Sequence, residues 1–259
     1  MAAPGGYLLD LDGTLYQGGA AIPGAVEVLE QLRRHGLPFR LVTNTTSRSR
    51  AALVDRLTGY GFDARAEEVF TATLSGVSLV RAAGHHSVAP FVPAGALEDM
   101  SGLALSGGTS GVPSAGPADA IVVGDLGERW TYALLQEAFD HLLSGAVLVA
   151  LSRDRYWKQG DRLALDAGPF VAALEFASGK PAVIAGKPSA AFFEAAVTSM
   201  GVKPSSVAMV GDDLWSDVEG AQRAGLQGWL VQTGKFRQDA LEHASVRPDR
   251  ILASVAELL

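Results

Sequence analysis

Short apolar runs alternate with a helical pattern in the N-terminal part of the chain. The runs 7–9 and 39–42 are the size of strands and end at Asp10 and Thr43. Between them, segment 23–36 opens with a proline, closes with a glycine and carries apolar residues at three-residue spacing, which is typical of an amphipathic helix. The order strand, helix, strand predicts a βαβ unit with two parallel strands.

The C-terminal third of the chain repeats this pattern. Segment 192–200 has the apolar spacing of a helix, and the apolar run 207–210 is a predicted strand that ends shortly before Asp212. A second helical stretch, 217–225, and a short strand, 228–231, come next. These elements have the lengths and the order expected of further strands and helices in the same parallel sheet.

Polar residues follow three of the predicted strands, namely Asp10, Thr43 and Asp212. In open parallel sheets the ligand crevice lies beyond the carboxyl ends of the strands. We therefore predict an α/β fold with a Rossmann-like parallel sheet, and we expect these three side chains to converge at one edge of it.

The middle of the chain differs in pattern from both ends. Its stretch 106–117 is rich in glycine and serine, a composition typical of a flexible surface loop. We predict a discontinuous Rossmann-like catalytic core formed by residues 1–75 and 183–259, with an inserted α/β cap domain at 76–182. The elements expected in the insertion are strands at 88–92, 120–123 and 146–151 and a helix at 132–143.

The composition excludes several classes of function. The 259 residues include no cysteine, which rules out disulfide scaffolds, thiolate metal sites, iron–sulfur clusters and cysteine nucleophiles. The formal net charge of −7 disfavours nucleic acid and anionic membranes as partners. The apolar runs are much shorter than the ~20 residues of a membrane span, and the N-terminus lacks the basic and apolar regions of a signal peptide. We therefore expect a cytoplasmic protein.

The candidate chemistry rests on oxygen ligands and one lysine. Asp10 and Asp12 follow the first predicted strand, Lys187 lies in a Gly-Lys-Pro sequence, and Asp212 and Asp213 follow a later strand. Carboxylates suit Mg²⁺, which shares its ligand shell with phosphate. The sequence contains no Gly-x-Gly-x-x-Gly, His-Glu-x-x-His or Gly-x-Ser-x-Gly motif, and no Gly-Lys pair is followed by the Ser or Thr of a nucleotide-binding P-loop. The residues therefore point to phosphoryl transfer.

In their order along the chain, these residues resemble the four motifs of the haloacid dehalogenase superfamily. Each motif alone is common, because Asp-x-Asp-Gly-Thr and Thr-Asn occur in ordinary turns and Gly-Asp-Asp at ordinary helix starts. Their joint order, with three of them after apolar strand runs, favours an enzyme. The matching sequences are Asp10-Leu-Asp12-Gly-Thr14, Thr43-Asn44, Lys187 and Gly211-Asp212-Asp213-Leu-Trp-Ser-Asp217.

The resemblance implies hydrolysis of small phosphorylated metabolites through an aspartyl phosphate. Asp10 is the expected nucleophile, and Asp12 is the expected general acid and base. Mg²⁺ is the expected cofactor, held by Asp10, by Asp212 and by the backbone carbonyl of Asp12. The implied activity is that of a phosphoric monoester hydrolase.

The resemblance also implies how the phosphate is held. The Thr43 hydroxyl, the Asn44 backbone N–H and the Lys187 ammonium are the expected contacts to phosphate oxygens. Asp213 or Asp217 is expected to orient Lys187 and the metal-bound waters, and the sequence does not choose between them.

The spacing of the motifs locates the inserted domain. Asp12 and Thr43 are 31 positions apart, enough for one crossover helix, whereas Thr43 and Lys187 are 144 positions apart. An insertion after the second motif resembles the α/β cap of class IIA phosphatases, of the NagD and pyridoxal phosphatase type. The chain also resembles phospholysine phosphohistidine inorganic pyrophosphate phosphatase-like proteins, and this resemblance is densest over 155–236. Caps of this class often supply a dimer surface, so a homodimer is an open expectation.

Four consecutive residues of the expected cap are candidates for contact with the leaving group. Arg155 and Lys158 flank the aromatic pair Tyr156 and Trp157. An aromatic pair on a strand is also typical of core packing, so both interpretations stay open. The glycine-rich loop at 106–117 departs from the family pattern, which leaves phosphoamides, pyrophosphate, sugar phosphates and pyridoxal phosphate as candidate substrates.

Three alternative functions stay open. A phosphotransferase of the same superfamily uses the same motifs, although the usual sugar-phosphate mutases carry their insertion between the first two. A signalling receiver domain also combines Asp, Mg²⁺, Thr and Lys on a parallel sheet, but its phosphoacceptor follows a later strand than its acidic pair. A protein that only binds phospho-ligands would have a broken first motif, whereas Asp10 and Asp12 are both present here.

Overall fold

The computed structural model describes residues 3–159 and 162–258, and this part of the chain forms two compact units. The predicted α/β class with parallel sheets is confirmed. The proposed domain boundaries, at 75/76 and 182/183, stay a prediction. Unit 1 consists of Met1–Thr43, Arg50–Phe70 and Lys187–Leu259, and unit 2 consists of Asn44–Ser49 and Thr71–Gly186.

Strands and helices alternate through both units. The strands are β1 (Gly6–Asp10), β2 (Tyr16–Gln17), β3 (Ala20–Ala21), β4 (Phe39–Thr43), β5 (Val69–Thr71), β6 (Ser87–Phe91), β7 (Ala104–Leu105), β8 (Ala120–Val123), β9 (Val147–Ala150), β10 (Tyr156–Gln159), β11 (Arg162–Leu165), β12 (Val183–Ile184), β13 (Val207–Gly211), β14 (Gln227–Val231) and β15 (Arg250–Leu252). The α-helices are α1 (Ala25–Arg34), α2 (Arg50–Gly59), α3 (Ala72–Ala82), α4 (Ala94–Asp99), α5 (Tyr132–Leu143), α6 (Ala167–Ser178), α7 (Ala190–Thr198), α8 (Gly220–Arg223) and α9 (Gln238–His243).

Unit 1 is built on a six-stranded sheet in the order β15-β14-β13-β1-β4-β5. The strands from β15 to β4 pair in parallel, and in this register Leu9 of β1 lies opposite both Leu41 and Val210. Strand β1 is buried along its whole length, which explains why it is a continuous apolar run rather than an alternating one. The carboxyl ends of β1, β4 and β13 therefore lie side by side.

Helix α1 shows why the N-terminal pattern gives this arrangement. Its apolar residues Val28, Leu29 and Leu32 are buried, and they belong to one core cluster with Leu9 and Leu41 of the sheet. Removing such side chains from water is the main driving force for packing the helix on the sheet. The helix falls within the predicted segment 23–36.

Unit 2 contains its own five-stranded parallel sheet, in the order β12-β9-β8-β6-β7. Strand β8 and helix α5 occupy the predicted positions 120–123 and 132–143. The pair β10 and β11 forms a separate antiparallel hairpin, in which Tyr156 lies opposite Leu165. Within the described residues, no helix is long and apolar enough to cross a membrane.

The glycine-rich stretch 106–117 is irregular and largely exposed from position 111 onward. Its first half is held in place, because the Thr109 hydroxyl donates to the Val92 carbonyl at 2.8 Å. The Gly108 N–H also donates to Glu137 Oε1 at 2.7 Å. The stretch is therefore anchored to the sheet and to α5 at one end.

Candidate active site

The strand ends of unit 1 bring the predicted residues to one edge of the sheet. Asp10 is the last residue of β1, and Thr43 is the last residue of the neighbouring β4. In the register of these strands Asp10 lies opposite Val42, so Thr43 lies one position further along. Asp212 follows β13, which pairs with the other side of β1.

Three carboxylates meet at this edge. Asp10, Asp212 and Asp217 each place one oxygen within 4.8 Å of the others. All three residues are buried, and Asp217 is only 1% exposed. Burial, together with the neighbouring Asp10 carboxylate, raises the pKa of Asp212 to about 6. Such a concentration of negative charge suits a cation, since oxygen ligands of this kind are those that Mg²⁺ prefers.

Lys187 supplies the positive charge inside this cluster. Its Nζ lies 2.5 Å from Asp10 Oδ1 and 2.7 Å from Asp217 Oδ1. Burial disfavours its charge, but the Asp10 and Asp217 carboxylates outweigh burial and raise the pKa of the Lys187 ammonium above its usual value. The lysine is therefore charged whenever the carboxylates are ionised.

Asp217 reaches the cluster through an irregular helix. The predicted helix 217–225 is wrong in its start, because a π-helical segment, Leu214–Glu219, precedes the short α8. In this segment the Val218 N–H donates to the Asp213 carbonyl at 3.3 Å, five residues back. A Cβ at Gly211 would overlap the Asp217 carboxylate, so the glycine before the aspartate pair permits this close approach.

The two candidates for orienting Lys187 have different partners in the structure. Asp217 contacts Lys187 directly, whereas Asp213 Oδ1 accepts hydrogen bonds from the N–H groups of Trp215 and Ser216 at 3.0 Å each. Asp213 Oδ2 also lies 3.4 Å from Nζ of Lys235. Although burial opposes ionisation, these partners lower the pKa of Asp213. Asp213 therefore caps the helical segment, and Asp217 is the member of the pair that contacts Lys187.

Asp12 is exposed and lies in the loop that follows β1. Partial burial and the Asp10 carboxylate raise its pKa, while the cations of Arg56 and Lys235 act in the opposite direction. A carboxyl whose pKa is raised keeps its proton to higher pH, which suits a group that protonates a leaving oxygen.

Asn44 of the second motif belongs to unit 2. Its side chain lies against Gly186, where an added Cβ would be 2.9 Å from Asn44 Oδ1. Gly186 immediately precedes Lys187, so the second and third motifs meet at the point where the chain leaves unit 2. The family resemblance implies that these two motifs lie close together, although no local sequence pattern does.

The candidate residues of the expected cap lie on the hairpin of unit 2. Tyr156 and Trp157 are 57% and 41% exposed, so the interpretation of this pair as core packing is wrong. The reason is that the hairpin is not part of the five-stranded sheet. Arg155 is also exposed and precedes β10. Lys158 lies on β10, but its side chain is outside the described part of the chain.

A cavity of about 710 Å³ lies beside this hairpin within unit 2. Its lining includes Trp157, Trp130 and Phe170, together with the polar residues Asp125 and Arg162. The rings of Trp130 and Phe170 are stacked, with centroids 5.1 Å apart. Aromatic walls with a few polar groups, at this volume, are typical of small-molecule pockets.

The motifs in the sequence do not include the turn that follows β14. The Lys235 N–H donates to Asp212 Oδ2 at 2.7 Å, and the Thr233 hydroxyl donates to the Gly13 carbonyl at 2.5 Å. In the sequence, the Gly-Lys pair at 234–235 lacks the Ser or Thr of a P-loop, and Thr233-Gly-Lys-Phe236 belongs to the stretch that carries the family resemblance. The available signal is its position, because β14 is a predicted strand of the same sheet and this turn follows its carboxyl end.

Comparison with known proteins places these residues among characterised sequences. Residues 7–105 match the family of haloacid dehalogenase-like hydrolases, and residues 184–258 match a second, HAD-hydrolase-like family. The chain is 41% identical to haloacid dehalogenase-like hydrolase domain-containing protein 2 of Bos taurus, covering 89% of this chain and 85% of the relative. It is 35% identical to human phospholysine phosphohistidine inorganic pyrophosphate phosphatase, covering 99% of this chain and 93% of the relative.

The fold is also found among solved structures. NagD from E. coli K-12 superimposes with a TM-score of 0.87 and 24% identity, and the match covers 100% of both chains. The likeness therefore includes unit 2 as well as unit 1.

Proposed function

The chain belongs to the haloacid dehalogenase-like hydrolases, as a class IIA phosphatase, and on this basis we propose that it hydrolyses small phosphorylated metabolites through an aspartyl phosphate on Asp10. The observation that carries the proposal is the contact of Asp10 with buried Lys187, inside a cluster that also contains Asp212 and Asp217. The position of Asp10 in the first motif supports this residue as the nucleophile. A buried carboxylate held by a lysine at a strand end is poised for attack on phosphorus.

We propose Mg²⁺ as the cofactor, because the donor set fits it. The Lys187 ammonium contacts two of the three buried carboxylates, Asp10 and Asp217, and one ammonium leaves negative charge in the cluster that a divalent cation would balance. Asp10 and Asp212, with the backbone carbonyl of Asp12, would hold the ion. Bound there, Mg²⁺ would supply charge neutralisation for the phosphoryl group.

The proposed hydrolysis consists of two successive displacements at phosphorus. In the first, an Asp10 oxygen bonds to phosphorus, the bond from phosphorus to the leaving oxygen breaks, and Asp12 donates a proton to that oxygen. In the second, Asp12 accepts a proton from water as the water oxygen bonds to phosphorus, which releases inorganic phosphate and restores Asp10. The raised pKa of Asp12 supports its role as the proton donor.

Charge and hydrogen bonds hold the transferred group. Lys187 contacts Asp10 and would neutralise the phosphoryl oxygens as attack proceeds. Asp217 fixes the Lys187 ammonium from its other side. We assign the remaining phosphate contacts to the Thr43 hydroxyl and the Asn44 backbone N–H, which follow the strand next to Asp10.

The substrate class follows from the relatives only in outline. The human relative carries phospholysine, phosphohistidine and inorganic pyrophosphate in its name, and these compounds are the first candidates for this chain. We propose that the leaving group is recognised by unit 2 residues such as Arg155 and Lys158. We propose free metabolites in the cytoplasm as the substrates, since the net charge of −7 disfavours nucleic acid and anionic membranes.

The test is hydrolysis of p-nitrophenyl phosphate by the purified protein. We expect turnover with Mg²⁺, loss of turnover with excess chelator and its return on adding Mg²⁺. Ca²⁺ should inhibit, because it prefers more ligands at longer distances. Full activity in chelator would contradict the metal assignment. Phosphate transfer to an added alcohol in place of phosphate release would favour a phosphotransferase.

A further inference from the structure

The turn formed by Thr233, Gly234 and Lys235, here the 233–235 turn, contacts two separate parts of the site. Through the Lys235 N–H it donates to Asp212 Oδ2 at 2.7 Å. Through the Thr233 hydroxyl it donates to the Gly13 carbonyl, next to Asp12, at 2.5 Å. One short segment thus bridges the first and the last motif.

Two glycines allow this turn to lie against the Asp212 carboxylate. Gly13 and Gly234 have φ angles of +85° and +62°, and a Cβ on either would overlap Asp212 Oδ2. A Cβ on Gly234 would also lie 2.6 Å from Gly13 Cα. The Asp212 oxygen therefore lies between two backbone segments, where any side chain larger than hydrogen would displace it.

Hydrogen bonds hold the peptide groups on either side of Gly13. The Gly13 N–H, in the peptide that also contains the Asp12 carbonyl, donates to the Tyr16 carbonyl at 2.8 Å. In a trans peptide the carbonyl points away from the N–H, so the Asp12 carbonyl, a proposed metal ligand, is directed away from Tyr16. The Thr233 hydroxyl holds the next peptide, through the Gly13 carbonyl.

We infer that the 233–235 turn is a positioning element that sets the affinity of the site for Mg²⁺ by holding Asp212 and the backbone at Gly13, next to the Asp12 carbonyl, together. The inference rests on the proposed function. Thr233 is a positioning residue because it acts through the Gly13 carbonyl. Partners of this kind typically change metal affinity or activity by ~10- to 100-fold.

A merely structural role for the turn predicts a different outcome. In that case, substitutions would lower the melting temperature and leave the affinity of the folded protein for Mg²⁺ unchanged. The experiment therefore measures Mg²⁺ binding to metal-free protein by calorimetry, the melting temperature, and kcat and KM for p-nitrophenyl phosphate over a range of Mg²⁺ concentrations.

Four variants separate these outcomes. Thr233→Val removes the hydroxyl at nearly constant volume, and Thr233→Ser restores the donor. Gly234→Ala adds a methyl group against Asp212. Gly36→Ala is the matched control, because Gly36 has a φ of +64° and no atom lies within 4 Å of the position that its new methyl group would take. The control therefore shares the backbone strain but not the contact.

We expect the Mg²⁺ dissociation constant to rise about tenfold in Thr233→Val and about 100-fold in Gly234→Ala. Thr233→Ser and Gly36→Ala should stay within about threefold of wild type. High Mg²⁺ should restore part of kcat in Thr233→Val. Unchanged Mg²⁺ affinity in folded Thr233→Val and Gly234→Ala would overturn the inference, whereas a wild-type protein without Mg²⁺-dependent hydrolysis would contradict the proposed function instead.

Discussion

The two units share one architecture but bury different kinds of polar group. Across the described residues, every buried Asp, Glu and Lys lies in unit 1, whereas the buried polar groups of unit 2 are hydroxyls and one histidine. An unpaired buried charge is strongly destabilising, so it persists only where it is paired or used. The buried charged groups on which the proposed reaction depends therefore all lie in unit 1.

The two units also differ in their exposed apolar side chains. The hairpin of unit 2 presents Tyr156, Trp157, Leu163 and Leu165, each more than 40% exposed. Large apolar side chains grouped on a surface typically mark a contact site for a ligand or a partner. Unit 1 thus has charge at buried strand ends, whereas unit 2 has apolar side chains on an exposed hairpin, and the proposed function assigns reaction to the first and recognition to the second.

The largest effect is expected from a substitution that breaks the charge balance of unit 1. Lys187→Met keeps most of the side-chain volume but leaves Asp10 and Asp217 without their shared cation. We expect kcat to fall by about 10²- to 10³-fold, because charge stabilisation in the transition state is lost. The free energy of unfolding without Mg²⁺ should also fall by about 3 kcal/mol, as expected for a broken buried ion pair. Steady-state kinetics and urea unfolding measure the two effects.

The matched control is Lys180→Met in unit 2. Lys180 Nζ donates to the Leu142 carbonyl at 2.5 Å, so this lysine too has a defined partner, although not a carboxylate. Activity within about twofold of wild type is the expected result. If Lys187→Met retained a comparable rate, the lysine assigned to the phosphoryl group would be the wrong one.

A smaller effect is expected at Arg155, the proposed contact to the leaving group in unit 2. Arg155→Ala removes an exposed charge, so we expect an unchanged melting temperature and an unchanged kcat. KM for an anionic substrate should rise by about threefold to fivefold, the size typical of an exposed charge contact. A panel of phosphorylated metabolites would measure the change. A fall in kcat without a change in KM would instead give Arg155 a part in the chemical step.

The smallest effect concerns the pH dependence of stability in unit 2. Asp166 caps α6 through the Ala167 N–H, and burial, together with Asp125 and Asp154, raises its pKa to about 6. Because the folded pKa lies above the unfolded one, its contribution is fully present below pH ~4 and is lost as pH rises through 6. Asp166→Asn should therefore stabilise the protein by about 1 kcal/mol at pH 7, after allowance for partial exposure, and not at pH 4.

Asp119 provides the control with the opposite sign. It accepts hydrogen bonds from the N–H groups of Ser87 and His86, which lower its pKa. Its contribution is present above the unfolded pKa and is lost as pH falls through the folded one. Asp119→Asn should therefore destabilise the protein at pH 7, with a smaller difference at acid pH. Urea unfolding with the same sign of change in both variants would contradict the assigned shifts.

Strand ends were predictable from the sequence because continuous apolar runs require burial on both faces. That rule placed Asp10, Thr43 and Asp212 at one sheet edge. It did not place Asp217, because the π-helical segment around it changes the helical spacing by one residue. The contact of Asp217 with Lys187 is long-range in sequence, and no local pattern encodes it.

The hairpin of unit 2 was harder to predict for a different reason. A strand with Tyr156 and Trp157 looks the same in sequence whether a sheet covers it or solvent does. Strand pairing decides between the two, and within the described residues β10 pairs only with β11. The segment 233–236 takes part in the family resemblance, but its contacts to Asp212 and Gly13 were not predictable, because they use a backbone N–H and one hydroxyl, which carry no distinctive residue pattern.

The most direct test of the account asks which aspartate receives the phosphoryl group. Acetyl phosphate has a good leaving group that needs little protonation, so the first displacement should survive in Asp12→Asn while the second slows. Intact-protein mass spectrometry after acid quench should show one added phosphoryl group on Asp12→Asn, removed by hydroxylamine, and none on Asp10→Asn. An adduct on Asp10→Asn, or turnover of Asp12→Asn at the wild-type rate, would contradict the assignment of Asp10 as the nucleophile and Asp12 as its acid and base.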